Sequence, residues 1–313
     1  MAGQPTGVAK PERRGTFTFL RKGRAGRSQA PWIFLLPAIF MYGLVVIYPS
    51  LAGSWYAFTD WDGLARTSSF VGLENFRTLL QDEQAIASLR NTFLLAVTVT
   101  IVQNTIGLLI ALGVNYNIKS RNVLRVIFFA SVVLTPVIVA FLWQYIYAPG
   151  GPLNRILDSL YLGWLKQDWL GDPNVALWAV VAVIIWQYAG YSMVIFLAGL
   201  QGVPQELYEA AAIDGAGALQ KFWNVTRPMI APAITINLML SIIGGLRLFD
   251  QVFALTGGGP GYATETLSTV LYEQAFIVGA YGYGTAIALV LTLIVACIAM
   301  IQLKVLRSQE VEA

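Results

Sequence analysis

Six long apolar runs, separated by polar stretches, set the pattern of this 313-residue chain. They fall at about 32–58, 92–114, 123–147, 176–200, 228–249 and 283–303. Each meets or exceeds the ~20 residues that a helix needs to cross the hydrocarbon core of a bilayer. Hydrocarbon offers the backbone no hydrogen-bond partners, so the runs predict an all-α membrane protein with six transmembrane helices. Pro37, Pro49, Pro136 and Pro232 lie inside or at the ends of runs. Neighbouring helices must satisfy the backbone groups these prolines free, which implies a bundle rather than lone helices. A weaker segment, 264–280, carries Leu267, Val270, Leu271, Ala275 and Val278 at helical spacing, with Glu265 and Glu273 elsewhere around it. That spacing predicts an amphipathic helix at the outer surface.

Composition agrees with this reading. Only 12% of residues are charged and mean hydropathy is +0.63, whereas a soluble domain carries roughly 25% charged residues. The chain has no histidine and a single cysteine, Cys297. The commonest general base is therefore missing, no internal disulfide can form, and no acid–base set for a membrane-embedded enzyme is visible. Residues 1–30 are basic and predict a disordered cytoplasmic tail; the run after them is far longer than the apolar core of a signal peptide and reads as an uncleaved first span.

Lysines and arginines fix the expected orientation. With the N-terminus inside, fourteen fall in inner segments and five in outer ones, and Arg247 lies in the fifth run. This excess predicts both termini in the cytoplasm and places 201–227 there as well.

The inner stretch 204–227 is polar, alanine-rich and interrupted by glycine. Pro204 suits the start of a helix, Gln205 to Asp214 are good helix formers, and Gly215 can supply the left-handed residue that ends one. A second short turn should follow, with Pro228 starting the next span. Helix–helix links usually take about 2–8 residues, so this one is longer than a connection needs. Ala210, Ala211 and Ala212 leave one face nearly bare. Two readings fit these residues: a helix lying among lipid headgroups, or a docking element for a cytoplasmic protein.

"EAAAIDGAGALQKFWNVTRPMIAP" (209–232) closely resembles the signature loop of importer-type ABC permeases. Glu209, Ala210, Ala211, Asp214, Gly215, Ala216, Phe222, Pro228 and Pro232 match that pattern, while Arg227 stands where the family usually has leucine. "FVGLENFRTLLQDEQAIASLRNTF" (70–93), "WQYAGYSMVIFLAGLQGVPQELYEAA" (186–211) and "GLRLFDQVFALTGGGPGYATETLSTVLYEQAF" (245–276) are similar to the branch that includes permeases for maltose, multiple sugars and glycerol-3-phosphate.

The resemblance implies a type I importer membrane subunit in a bacterial or archaeal cytoplasmic (inner) membrane. Its loop would be a coupling helix seated in a groove of a cytoplasmic ATPase dimer. It further implies a second homologous permease subunit, an extracytoplasmic solute-binding protein, a carbohydrate substrate and surrounding membrane lipid, with no nucleic acid. The chain itself would not be an enzyme. ATP and Mg belong to the partner ATPase, and no cofactor or metal is expected here. Import of glycerol-3-phosphate or a related polar solute is the alternative. A self-contained secondary transporter is the weaker one, since no internal repeat and no midplane Asp, Glu or Lys is visible.

Polar residues within spans usually face the bundle interior or a watery path. Gln187, Tyr191, Asn237, Arg247 and Asp250 are the candidates for a solute path. Hydrogen bonding between helices is the competing role for such amides, and anchoring at the membrane interface the competing role for tyrosines. For Gln103 and Asn104 the interhelical role is preferred. "TGGGPG" (256–261) lacks the lysine and hydroxyl of a phosphate loop and suits a turn over the pore mouth.

Overall fold

The computed structural model describes Gly3 and residues 32–307. The expected basic tail, 1–30, lies outside these residues except for Gly3. The chain divides into two compact units, Met1–Ser50 and Leu51–Ala313. Among the described residues there is no strand, only an isolated bridge between Thr59 and Phe70.

Helix α1, Leu36–Tyr56, contains a π-helical stretch, Gly43–Ile47. In the second unit, α2 (Glu74–Gln81) leads into α3 (Glu83–Asn115). The 33 residues of α3 span about 50 Å, well beyond the ~30 Å hydrocarbon core. The apolar run at 92–114 covers only its C-terminal two-thirds. Polar turns extend it N-terminally to Asp82, whose carboxylate caps it by accepting the Gln84 N–H at 2.9 Å. Tyr283 donates to the other oxygen of Asp82 at 2.7 Å.

The third apolar run is not one helix. Helix α4 (Arg121–Val133) stops, Leu134 and Thr135 are extended, and α5 (Pro136–Tyr147) starts afresh. The pair Arg121–Val133 and Pro136–Ser159 is bent by 99°. Proline pushes the residue before it out of the helical region and cannot donate its own N–H. A short helix, α6 (Pro152–Ser159), precedes α7 (Ala176–Gln201), the most deeply buried of the long described helices.

After helix α8 (Gln205–Ile213), the second helical turn extends further than expected. Helix α9 (Ala218–Met229) runs through Pro228 with a π-helical stretch, Phe222–Thr226, just before it. Arg227 N–H bonds to Phe222 O, so the wider turn takes up the register that proline disturbs. Pro228 therefore lies within a helix rather than at the start of one. The bend of 71° comes at Ile230, with Pro232 in the first turn of α10 (Ala231–Leu246). A short helix, α11 (Asp250–Thr256), and the glycine loop follow, then α12 (Leu267–Val278) and α13 (Tyr281–Arg307).

Helix α12 is amphipathic, and its buried face packs into the bundle. Leu267 and Val270 are fully buried against α2, α3 and α13, in a core with Leu79, Ala85 and Ile287. Thr92 on α3 accepts the Leu267 N–H at 3.0 Å. Glu265 stands before the helix rather than on it.

By length and composition, four helices can cross a membrane, and up to six can if each bent pair counts as one span. Their cores join α3, α5, α7 and α11 around Leu95, Val180 and Val252, and α3, α7 and α10 around Met193, Phe196 and Ile230. Close approach depends on glycine. A Cβ on Gly190 would run into the Phe128 carbonyl, and one on Gly107 would run into Ser192.

Candidate functional site

At one end of the bundle, α8 is displayed between α7 and α9. Its C-terminus is a complete Schellman motif. The Ala216 N–H donates to Ala211 O at 2.9 Å, the Gly215 N–H donates to Ala212 O at 3.1 Å, and Gly215 has φ +77°. Nothing lies within 4 Å of a Cβ built on Gly215, so its requirement is conformational and not steric. Asp214 caps the helix, and Gln220 Oε1 accepts the Gly217 N–H at 2.9 Å to start α9.

Glu209, Ala210, Asp214 and Gly215 are exposed, while Ala211, Ala216, Phe222 and Pro228 are half-buried. Gln205 donates to Glu209 within the helix at 3.1 Å. Ile213 is 88% exposed and Leu219 is 71% exposed. Two large aliphatic side chains thus stand in the open on either side of the glycine elbow. The helix is not loose, because the Tyr208 and Thr226 hydroxyls hydrogen-bond at 3.1 Å and tie α8 to α9. Behind that tie lies a cavity of about 750 Å³ lined by Tyr116, Leu200, Tyr208, Leu219, Phe222 and others.

In the middle of the bundle a cavity of about 400 Å³ is lined by Gln103, Tyr188, Tyr191, Asn237 and Ser241 among apolar side chains. A polar chain runs along it. Gln103 donates to Ser192 at 2.9 Å, and Ser192 donates to Asn237 Oδ1 at 3.3 Å. Asn104 donates to Ser241 at 2.8 Å, and Ser241 donates to the Asn237 carbonyl at 2.8 Å. The Asn237 amide nitrogen is buried and has no hydrogen-bond partner. A buried donor without a partner costs about 1–3 kcal/mol, so this one is available to a ligand or water.

Tyr188 and Leu248 also line a second opening, of about 310 Å³, together with Arg247 and Asp250. Gln187 is differently placed. Its Nε2 donates to the Leu134 carbonyl at 3.0 Å and its Oε1 accepts from Gln251 at 3.1 Å. Ser131 adds a donor to the Gln187 carbonyl at 3.1 Å. Gln187 thus holds the break between α4 and α5, while Tyr191, Asn237, Arg247 and Asp250 reach the openings.

Three further polar residues, Ser192, Ser241 and Gln251, escaped the sequence reading. The serines are small hydroxyls in apolar runs, and Gln251 lies beyond the end of one. The missed signal was the coincidence of amides and hydroxyls at matching depth on three helices.

Comparison with known proteins places these features in context. The family described as "binding-protein-dependent transport system inner membrane component" matches residues 103–309. The probable starch degradation products transport system permease protein of Thermoanaerobacterium thermosulfurigenes is 36% identical, over 90% of this chain and 95% of its own. The multiple sugar-binding transport system permease protein of Streptococcus mutans is 34% identical, over 90% of this chain and 96% of its own. Among solved structures, a bacterial ABC transporter involved in import of the acidic polysaccharide alginate has a chain that superposes with TM-score 0.78 at 25% identity, covering 88% of this chain and 94% of that one.

Proposed function

The chain belongs to the family of binding-protein-dependent transport system inner membrane components, and from that premise we propose that it is a permease subunit of an ATP-driven importer for a sugar or oligosaccharide. The observation that carries the proposal is α8, a tied-down helix with a Schellman end and an exposed Ile213, displayed between α7 and α9. Similarity to permeases named for starch products and multiple sugars supports the cargo class.

In this reading the four unbroken helices and two bent pairs make six crossings, and the excess of inner lysines and arginines puts both termini and α8 in the cytoplasm. Residues 1–30 form a tail and 31–313 the permease domain, with 204–227 as its coupling loop. Helix α8 sits in a groove of an ATPase subunit, which holds the ATP and Mg; this chain holds no cofactor. Ile213 and the bare alanine face supply the contact, while Gly215 sets the angle of the segment that follows. An ATPase dimer has two such grooves and this chain offers one helix, so a second, homologous permease completes the pair. A solute-binding protein delivers cargo to the outer face, and membrane lipid covers the rest.

The geometry supplies a lever. When the ATPase dimer closes, α8 moves as a rigid piece. The Tyr208–Thr226 contact passes the motion to α9, and the bend at Ile230 passes it to α10, which carries Asn237. Asn237 and Tyr191 face the solute, Arg247 and Asp250 border its outer approach, and Gln187 holds the wall behind them. Arg247 would also suit glycerol-3-phosphate, the second reading.

The first test is purification of the tagged chain in mild detergent from its native cell, identifying what stays bound. An ATPase and a second permease are expected. Repeated recovery of a folded chain by itself would overturn the reading in favour of a self-contained carrier.

A further inference from the structure

A cavity of about 440 Å³ lies under the glycine loop, away from the central path. Its wall combines the side chains of Phe253, Tyr262, Tyr272, Glu265 and Glu273 with the glycine backbone, and no lysine or arginine lines it. The loop is built to hold this shape. Tyr262 has φ +65°, a conformation that side chains rarely adopt, and Asn91 fixes it by donating to Tyr262 O at 3.0 Å and Ala263 O at 3.1 Å. A Cβ on Gly258 would collide with the Glu265 carboxylate, so glycine lets the loop close over an acid.

Glu265 is 5% exposed and accepts from Thr269 at 2.6 Å. Gln84 donates to Glu273 at 2.7 Å, which uses part of the capacity of a carboxylate with about four lone-pair sites. Three rings then link this cavity to the opening beside Arg247. Phe249, which lines that opening, lies 5.0 Å from Phe253 and 5.3 Å from Tyr272, and Phe253 and Tyr272 are 5.2 Å apart.

We infer that this cavity is a pyranose subsite at the mouth of the path, where Phe253 and Tyr272 pack on the apolar face of the sugar ring and Glu273 and the loop backbone take its hydroxyls. The inference rests on the reading of the chain as a sugar importer's permease and deepens it by naming the substrate class. A pyranose ring carries C–H bonds on its faces and hydroxyls around its edge, so it needs a flat apolar surface beside hydrogen-bond acceptors. A carboxylate only accepts, and hydroxyls can all donate to it. Glu273, in a wall without lysine or arginine, repels a phosphate or a uronate. The subsite therefore selects neutral sugars over anionic ones before they reach Asn237.

The test is saturation-transfer NMR on the complete transporter in lipid nanodiscs, with methyl α-glucoside as the neutral probe and glycerol-3-phosphate as the anionic one. Wild type should transfer saturation from aromatic protons to the glucoside ring and give no signal with the phosphate. The Phe253→Leu/Tyr272→Leu double variant should weaken glucoside binding by roughly tenfold, the worth of two aromatic contacts, and Tyr272→Phe should retain it. If the double variant does not fold, Tyr262→Asn removes a half-exposed ring and suits the left-handed backbone; it should also lower the signal. Equal signals from wild type and the ring-deleted variants, no glucoside signal at all, or a phosphate signal of equal strength would each overturn the subsite. The importer reading would survive any of these results, because it stands or falls on recovery of the ATPase and second permease.

Discussion

Gln251 donates its side-chain amide to Gln187 Oε1 across 3.1 Å, and Gln187 donates onward to the Leu134 carbonyl at 3.0 Å. Two discontinuities in the fold are thereby joined, the break between α4 and α5 and the turn into α11. Both glutamines are about 1% exposed. Gln251→Leu should cost about 1 kcal/mol, in line with measured interhelical hydrogen bonds. Gln187→Leu should cost a similar amount, since it leaves the Leu134 carbonyl without its donor while Gln251→Leu also removes the bond that Gln251 donates to the Tyr188 hydroxyl at 3.1 Å. Unfolding of the purified chain in mixed micelles reads both, and an unchanged Gln187→Leu protein would show that these bonds contribute nothing.

Gly190 meets the backbone of α4 where a Cβ would enter the Phe128 carbonyl. Gly190→Ala must push the two helices apart, at a cost of about 1–3 kcal/mol. Gly244, where nothing lies within 4 Å of an added Cβ, should accept alanine with little change. Thermal denaturation of the two variants side by side makes the comparison.

Gly215 offers room for a side chain but not the backbone for one, since φ is +77° with nothing within 4 Å. Gly215→Val should strain the Schellman end by about 1–2 kcal/mol and re-aim α8 relative to α9. Gly215→Asn should be tolerated. In the reconstituted transporter, the valine variant should hydrolyse ATP without matching uptake, or fail to assemble. Normal uptake with normal stimulated hydrolysis would remove Gly215 from the coupling role.

Burial raises the pKa of Glu265 above its ordinary 4.5, and the nearby charge of Glu273 adds to the rise, while hydrogen bonds from Thr269 and Gln84 oppose it. The folded protein therefore keeps this proton to higher pH than the unfolded chain does. Its stabilising contribution is complete below 4.5 and is lost as pH rises through the folded value. Glu265→Gln should flatten that part of the profile. Melting curves of both proteins between about pH 4 and 7 should converge at the acid end and separate toward neutrality.

The legible parts of the fold were those written in consecutive residues. The apolar run at 176–200 predicted a helix, found at Ala176–Gln201, and glycine after "YEAAAID" marked the end of α8 correctly. The break at Leu134 was not legible, because Pro136 in an apolar run looks like any tolerated proline. The carbonyl it frees is satisfied by a donor supplied 53 residues later, from Gln187. The length of α3 was hidden for a similar reason. Its N-terminal turns are polar, and they are helical because Asp82 caps them and α2, α12 and α13 cover them. At the candidate site, Asn237 and Tyr191 were visible as polar or aromatic residues in apolar runs, but Ser192, Ser241 and Gln251 gain meaning only from their partners on other helices.

The pairing of Gln187 with Gln251 also constrains the order in which the protein can be made. The two are separated by 64 residues, so at ordinary rates of synthesis the second emerges roughly 3–13 s after the first. During that interval α7 must remain among its earlier neighbours with a side-chain oxygen that its final partner has not yet reached. Leu134, already synthesised, can take the amide hydrogen at once. A chain terminated between α10 and α11 should therefore keep its helices but be held more weakly, and be among the first cleared by membrane proteases.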